Sequence, residues 1–257
     1  KSLKLGNVVA LIIPKSLINS PEFNKTRQLL EALKIKKITD YGEKGFKGVK
    51  IETISFIANS NKKAIKNIVE IESYITKEIS FQEQDYIFSK DYPYWLIYRN
   101  EMFDNISNKM KFNIFNAYRD RQITKKITKE NGAIRILKSR NIASNKTIDI
   151  ENYDCYADDI ESLDVKKFIN NETAVLVPNL TYNPRACFLP KNTIVDGSVA
   201  ILTLRNGSRP VNEKDLDFFG SEEFSKFYGV ARNFGTRSLN IDNNSVFFFG
   251  LLKDTND

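Results

Sequence analysis

Three stretches of the chain carry side chains able to read or grip a nucleic acid. The first, Ala174 to Leu204, runs AVLVPNLTYNPRACFLPKNTIVDGSVAILTL and sets Asn179, Tyr182, Asn183 and Arg185 in a polar, proline-punctuated segment between two apolar, strand-like runs. The second, ARNFGTRSLNID at Ala231 to Asp242, echoes it with Arg232, Asn233, Arg237 and Asn240 around a glycine. Asparagine and arginine carry the paired donors and acceptors that match base edges and phosphates. The third, AYRDRQITKK, holds Tyr118, Arg119, Arg121, Gln122, Thr124, Lys125 and Lys126, with Lys138 and Arg140 following. Long basic side chains reach phosphates, while Gln and Thr reach base edges. Of these, Arg119, Arg121, Lys125, Lys126, Lys138 and Arg140 are the phosphate candidates, and Gln122, Asn179, Tyr182, Asn183, Arg185, Arg232, Asn233 and Arg237 the base-reading candidates, of the DNA-binding set.

Charge supports the same segment. The chain has 39 Lys and Arg against 32 Asp and Glu, a net charge of +7. Residues 111–140 hold nine basic side chains against two acidic ones, so the rest of the chain balances. Positive charge concentrated beside aromatics and amides is the electrostatic footprint of a nucleic-acid partner; the alternative is a solvated loop that only raises the pI.

The inventory excludes several chemistries. Histidine is absent, which removes triads built on an imidazole base and histidine metal sites. Cys155 and Cys187 are the only cysteines, too few for a disulfide framework or an all-cysteine zinc knuckle, and they point to a reducing cytoplasm. A magnesium nuclease needs an Asp and a Glu-x-Lys on adjacent strands; Glu52 is followed by Thr and Ile, and Asp158, Asp159 and Glu161 sit in a turn-rich stretch. No catalytic, cofactor-binding or metal-ligating residue is assigned. No run of about 18 apolar residues and no signal-peptide pattern occurs, so no membrane partner is expected.

The elements that must position these residues fall into two parts. Val8 to Ile13 (VVALII), closed by Pro14, predicts a strand buried on both faces of a mostly parallel sheet. Ser20 and Pro21 open a predicted helix of about four turns, with Phe23, Leu29, Leu30 and Leu33 inward. Strands are predicted at Ile35 to Tyr41 and Val49 to Ala58, joined by the loop GEKGFKG. That loop precedes a strand rather than a helix, so it reads as a hairpin rather than a nucleotide-binding loop. Such an α/β sheet edge is incomplete by itself, and a first residue other than Met suggests a piece of a longer protein. Residues 61–90 read as a helical or mixed connector, and Tyr92 to Tyr98 (YPYWLIY) as a core anchor for the second domain in preference to a base-stacking platform. Beyond it, a short amphipathic helix at Glu101 to Lys111 leads to short strands at Ala133 to Leu137, Thr173 to Val177, Thr193 to Leu204 and Ser245 to Leu252, with a Ser-capped helix at Ser221 to Tyr228. The fold class is therefore α/β followed by α+β, with β dominating the second half.

GNVVALIIPKSLINSPEF, the helix containing TRQLL, and ITDYGEKGFKGVKIETISFIA resemble the end of the catalytic domain of TaqI-like, adenine-specific DNA methyltransferases of type II restriction-modification systems. AIRILKSRNI is similar to the opening strand of target recognition domains, and FNAYRDRQITKK to the segment before it. VPNLTYNPRACFLPKNTIVDGSVAILTL and FYGVARNFGTRSLNID look most like the type IIS branch. The resemblance implies a methyltransferase-type α/β sheet edge over residues 1–60, a connector over 61–90, and a mixed, β-rich target recognition domain over 91–257. It implies sequence-specific binding of double-stranded DNA, and it admits a cognate restriction endonuclease as a further partner. In the intact enzyme S-adenosylmethionine would supply a methyl group to the amino group of a flipped adenine. The cofactor's glycine-rich loop and the Asn-Pro-Pro-aromatic tetrapeptide are absent, Asn183-Pro184-Arg185 being only a partial match, so this chain is not expected to transfer methyl groups alone. A restriction endonuclease or fused restriction-modification subunit, and a non-catalytic protein-interaction subunit, are the alternatives.

Overall fold

The computed structural model describes residues 7–48, 50–62, 66–179, 183–235 and 240–253. The chain divides into two compact units, Lys1–Glu101 with Gly229–Leu239, and Met102–Tyr228 with Asn240–Asp257. Strands dominate and helices are short, the mixed α/β character expected from the sequence.

The first unit is built on a five-stranded sheet of order β1-β3-β2-β4-β5, comprising β1 (Val8–Pro14), β2 (Leu33–Gly42), β3 (Thr53–Lys62), β4 (Ile68–Ser73) and β5 (Glu78–Glu83). The hairpin expected at the glycine loop is present, with β2 antiparallel to β3 and Asp40 Oδ1 accepting the N–H of Gly42, whose φ of 55° closes the strand. The first strand departs from expectation. It is an edge strand antiparallel to β3, and Val8 and Ile12 are 56% and 61% exposed. A β-branched run specifies an extended backbone but not the number of neighbours it finds. Within this sheet, among the described residues, only β2 and β4 pair in parallel. Residues 61–90 also differ from a connector, since β4 and β5 extend the same sheet before a short helix at Gln84–Ile87.

Two helices precede β2, α1 (Ser16–Asn19) and α2 (Asn24–Glu31), the latter entered through a 3-10 turn at Pro21–Phe23. The expected four-turn helix is shorter, and Leu29 points outward at 74% exposure. The buried anchor of the α2 segment is instead Arg27, which donates to the carbonyls of Leu17 (2.7 Å) and Ser20 (2.9 Å). Trp95 is buried as expected, stacked on Phe88 at 4.2 Å and donating its indole N–H to Glu31 at 2.6 Å, but it anchors this first unit. Lys15 lies fully buried against Asp40 at 2.6 Å, and the Tyr98 hydroxyl donates to the same carboxylate.

The second unit begins near α4 (Glu101–Ser107), numbered after the Gln84–Ile87 helix, α3. Its main sheet runs β13-β12-β15-β7, all antiparallel, from β7 (Phe115–Arg119), β12 (Val175–Pro178), β13 (Cys187–Phe188) and β15 (Val199–Leu204). A three-stranded sheet sets β8 (Ile134–Leu137) between antiparallel β11 (Cys155–Ala157) and parallel β14 (Thr193–Val195). Two strand pairs complete it, β9 (Ile142–Ala143) with β10 (Lys146–Thr147), and β6 (Met110–Lys111) with β16 (Leu251–Leu252). The expected single strand Thr193 to Leu204 is broken into β14 and β15 by a turn at Asp196-Gly197-Ser198. The expected strand Ser245 to Leu252 is mostly a 3-10 turn, Ser245–Phe248. Asp242 Oδ1 accepts the N–H groups of Asn244 (2.9 Å) and Ser245 (2.8 Å), starting a helical turn that the apolar run VFFF would not announce. α5 (Glu213–Phe219) and α6 (Glu222–Ala231) follow β15; Ser221 caps α6 through Phe224 N–H, and Phe224, Phe227 and Tyr228 are buried as expected.

Candidate nucleic-acid interface

The basic stretch after β7 is a folded loop rather than a solvated tether. Asp120, 2% exposed, accepts the N–H groups of Gln122 (2.9 Å) and Ile123 (2.7 Å) and so fixes the turn by which the chain leaves the strand. Ile123 and Ile127 pack on the core of the second unit. Between them the N–H groups of Ile127 and Thr128 reach back to the Thr124 carbonyl, making one helical turn. Lys129 then joins Tyr156 in a two-bond bridge and pairs with Asp158. Arg121, Lys125 and Lys126 are left exposed on this platform, and among the described residues none has a carboxylate partner. Gln122 is exposed, but its amide oxygen accepts the N–H of Asp164 at 2.7 Å. Arg119 ends β7 half-buried, opposite Ala200, on the sheet face away from Tyr118.

A second basic group surrounds a 3-10 turn at Ser139–Asn141. Lys138 donates to the Tyr153 carbonyl, and its ammonium stands 3.9 Å from the centre of the Tyr153 ring. The exposed Arg140 guanidinium lies over the same ring at 4.6 Å. Asn183 is exposed, and its backbone carbonyl is held by Arg185. That arginine donates to the carbonyls of Ile142 (2.5 Å), Ser139 (3.0 Å) and Asn183 (3.1 Å). Burial pushes its pKa below the ordinary arginine value. Arg185 thus clamps the loop after β12 to the turn after β8. Nε, Nη1 and Nη2 each donate to a backbone carbonyl, a structural role that the expectation of a base-reading arginine did not include.

Three further expectations change for the same reason. Asn179 is 5% exposed; its oxygen accepts Ile241 N–H (2.8 Å), and its amide donates to Asn240 Oδ1 (2.9 Å) and the Gly197 carbonyl (3.3 Å). Asn233 is fully buried in the first unit. It occupies the left-handed position, φ 50°, that ends α6, with Phe234 N–H bonded to Gly229 O and Asn233 N–H to Val230 O. Its side chain accepts Ile97 N–H (2.9 Å) and donates to Trp95 O (2.7 Å) and Asn19 (2.9 Å). Arg232 is 4% exposed in that same unit. Buried, internally bonded groups cannot meet base edges without leaving their sites. Tyr182 and Arg237 lie outside the described residues.

What organises the second unit's two basic groups is a feature with no chemistry of its own. In the Asp196-Gly197-Ser198 turn, Ser198 Oγ accepts Ser139 N–H at 2.9 Å, and the Ser198 carbonyl accepts Asn179 N–H at 2.8 Å. Gly197 approaches Asp120 so closely that a Cβ there would stand 2.7 Å from the Asp120 carbonyl oxygen. One turn therefore touches the roots of the basic loop, the Lys138–Arg140 turn and the strand bearing Asn179. Asp120 and Gly197 were both missing from the sequence expectation. An acidic residue inside a basic run, two before the first N–H it binds, was the available signal for Asp120.

Among the described residues no group of three or more His, Cys, Asp or Glu could hold a metal ion, and no helix is long and apolar enough to cross a membrane. No protein-family model matches the chain, and no curated protein does. Among solved structures it is similar in fold to the type IIG restriction endonuclease BpuSI, at 9% identity and a TM-score of 0.39 over 96% of this chain. It is likewise similar to the type IIL restriction-modification enzyme MmeI, solved in complex with DNA, at 10% identity and a TM-score of 0.47 over 97% of this chain. The chain spans 40% of the length of each.

Proposed function

We propose that the chain binds double-stranded DNA as the sequence-reading, C-terminal part of a restriction-modification enzyme, an adenine-specific methyltransferase of the TaqI-like kind. The observation that carries the DNA-binding reading is the loop after β7. Its Arg121, Lys125 and Lys126 are exposed without carboxylate partners among the described residues, on a backbone fixed by Asp120, Ile123 and Ile127. Cations held in place lose little freedom on meeting phosphates, whereas ion-paired cations would first have to give up their partners. Arg140, stacked on Tyr153, and the exposed Asn183 join the contact surface; Arg119, Gln122 and Lys138 flank it, with Arg185, Asn179 and Gly197 holding its parts in place. The adenine-specific assignment rests on the sequence resemblance.

S-adenosylmethionine would belong to the intact enzyme. The residues present do not fit it: the glycine loop of this chain joins two antiparallel strands and opens no helix, so it offers no helix N-terminus to the cofactor. No step of methyl transfer is assigned to this chain.

Fluorescence anisotropy of a labelled duplex, titrated with salt, tests the reading. Binding should weaken by orders of magnitude between about 50 and 200 mM salt if about six phosphates are contacted. The triple variant Arg121→Ala, Lys125→Ala, Lys126→Ala should lose about three units of the log–log slope. Binding that ignores salt, or a triple variant with the parent slope, would sink the proposal. Magnesium-dependent nicking of a plasmid by the purified chain would move it to the nuclease class.

A further inference from the structure

Asp164–Phe168 forms a 3-10 turn carrying Lys166 and Lys167. Lys166 pairs with Glu161. Lys167 is exposed, and no carboxylate lies within ion-pair distance of it among the described residues. Its ammonium stands over two aromatic rings, 4.8 Å from the centre of Tyr118 and 5.2 Å from that of Phe168, and those rings are themselves 4.7 Å apart. Tyr118 is in β7, two residues before Asp120, and Gln122 Oε1 accepts the N–H of Asp164. The lysine is therefore set beside the root of the basic loop by two independent ties, one aromatic and one hydrogen-bonded.

We propose that Lys167 is a phosphate contact of the same DNA-binding surface, held ready by the Tyr118–Phe168 pair, and that the Asp164–Phe168 turn and the loop after β7 form one continuous binding element. The inference rests on the DNA-binding reading above. A lysine on a flexible stem normally spends side-chain entropy when it is fixed by a phosphate. Resting the ammonium on two ring faces limits that loss while leaving its outer side open. Because the rings are engaged with each other and with the lysine, they support the cation rather than stack a base, and a duplex backbone is the partner the geometry fits.

The test is a salt titration of duplex binding by the whole chain, with Lys167→Ala, Lys167→Arg and Lys226→Ala compared. Lys226 is exposed and paired with Glu222 on α6, away from the proposed element in sequence and ion-paired as Lys167 is not. Lys167→Ala should lower the log–log slope by about one and weaken binding roughly 5- to 10-fold near 0.1 M salt, as removal of one phosphate contact implies. Lys167→Arg should restore most of the affinity, and Lys226→Ala should match the parent. A salt-steep parent with an unchanged Lys167→Ala slope overturns the role of Lys167 and leaves the DNA reading standing. A loss of affinity without a change of slope, or one that arginine does not rescue, also overturns it, because the lysine would then act only on the fold. A parent that binds without salt dependence overturns both.

Discussion

At the scale of single residues, chemical type and role come apart. Arg185 has the side chain best suited to a guanine edge, yet it faces three backbone carbonyls. Replacing it with Ala leaves those acceptors without their donor, and with a guanidinium fork as the geometry to be matched, Lys cannot replace all three bonds. Arg185→Ala should cost about 1–3 kcal/mol in stability, read as a lower urea midpoint with unchanged steepness. A midpoint equal to the parent's would return the guanidinium to the base-reading set. Asn179 and Asn233 make the same point. Both have the amide that pairs with adenine, and both spend it on backbone groups and a neighbouring asparagine at places where the chain turns.

At the scale of elements, the decisive feature is the turn between β14 and β15. Gly197 is required there by the close approach of the Asp120 carbonyl, not by a positive φ. Gly197→Ala should displace the Asp120 backbone and loosen the turn that presents Arg121, Lys125 and Lys126. DNA affinity at low salt should fall several-fold with no cation removed, and limited proteolysis should become faster within residues 119–128. Equal proteolysis rates would remove the coupling between turn and loop. The hairpin at Gly42, the capped helix at Ser221 and the buried faces of Phe224 and Phe227 were legible from local pattern, because each depends on residues within a few positions. The 3-10 turn at Ser245 was not. Three phenylalanines and a valine fit a strand equally well, and the choice was made by the Asp242 carboxylate, which binds the N–H groups two and three positions on, together with the packing of Phe248 in the core.

At the scale of the whole molecule, the absence of histidine sets the response to pH. No side chain has an ordinary pKa between 5 and 8, so net charge and DNA affinity should stay flat through that range. Above it the molecule should weaken. Burial raises the Cys187 thiol from 9.0 to about 12, and burial with the charges of Asp120 and Asp164 raises Tyr118 from 10.0 to about 12. For both groups the folded pKa lies above the unfolded one, so the unfolded chain gives up its proton first. Their stabilisation is complete below about pH 9 and is lost as pH climbs towards 12, at up to about 1.4 kcal/mol per pH unit for Cys187. Urea midpoints measured from pH 8 to 11 should fall, and Cys187→Ala should flatten the fall; a parent curve level through pH 11 would contradict the burial of that thiol.

By itself the sequence determined that this is a mixed chain with β dominating its second half, that its excess positive charge sits in one stretch, and that histidine chemistry is closed to it. These follow from composition and from periodicity over a few residues, which do not depend on distant neighbours. Only the tertiary structure decided which polar side chains remain available to a partner. A guanidinium or amide serves a phosphate, a base or a backbone carbonyl equally well, and what it serves is fixed by what lies within about 3 Å once strands far apart in sequence have been brought together. That is why Arg185, Asn179 and Asn233 are bonded within the fold, while Arg121, Lys125, Lys126 and, some forty residues downstream, Lys167 stay exposed.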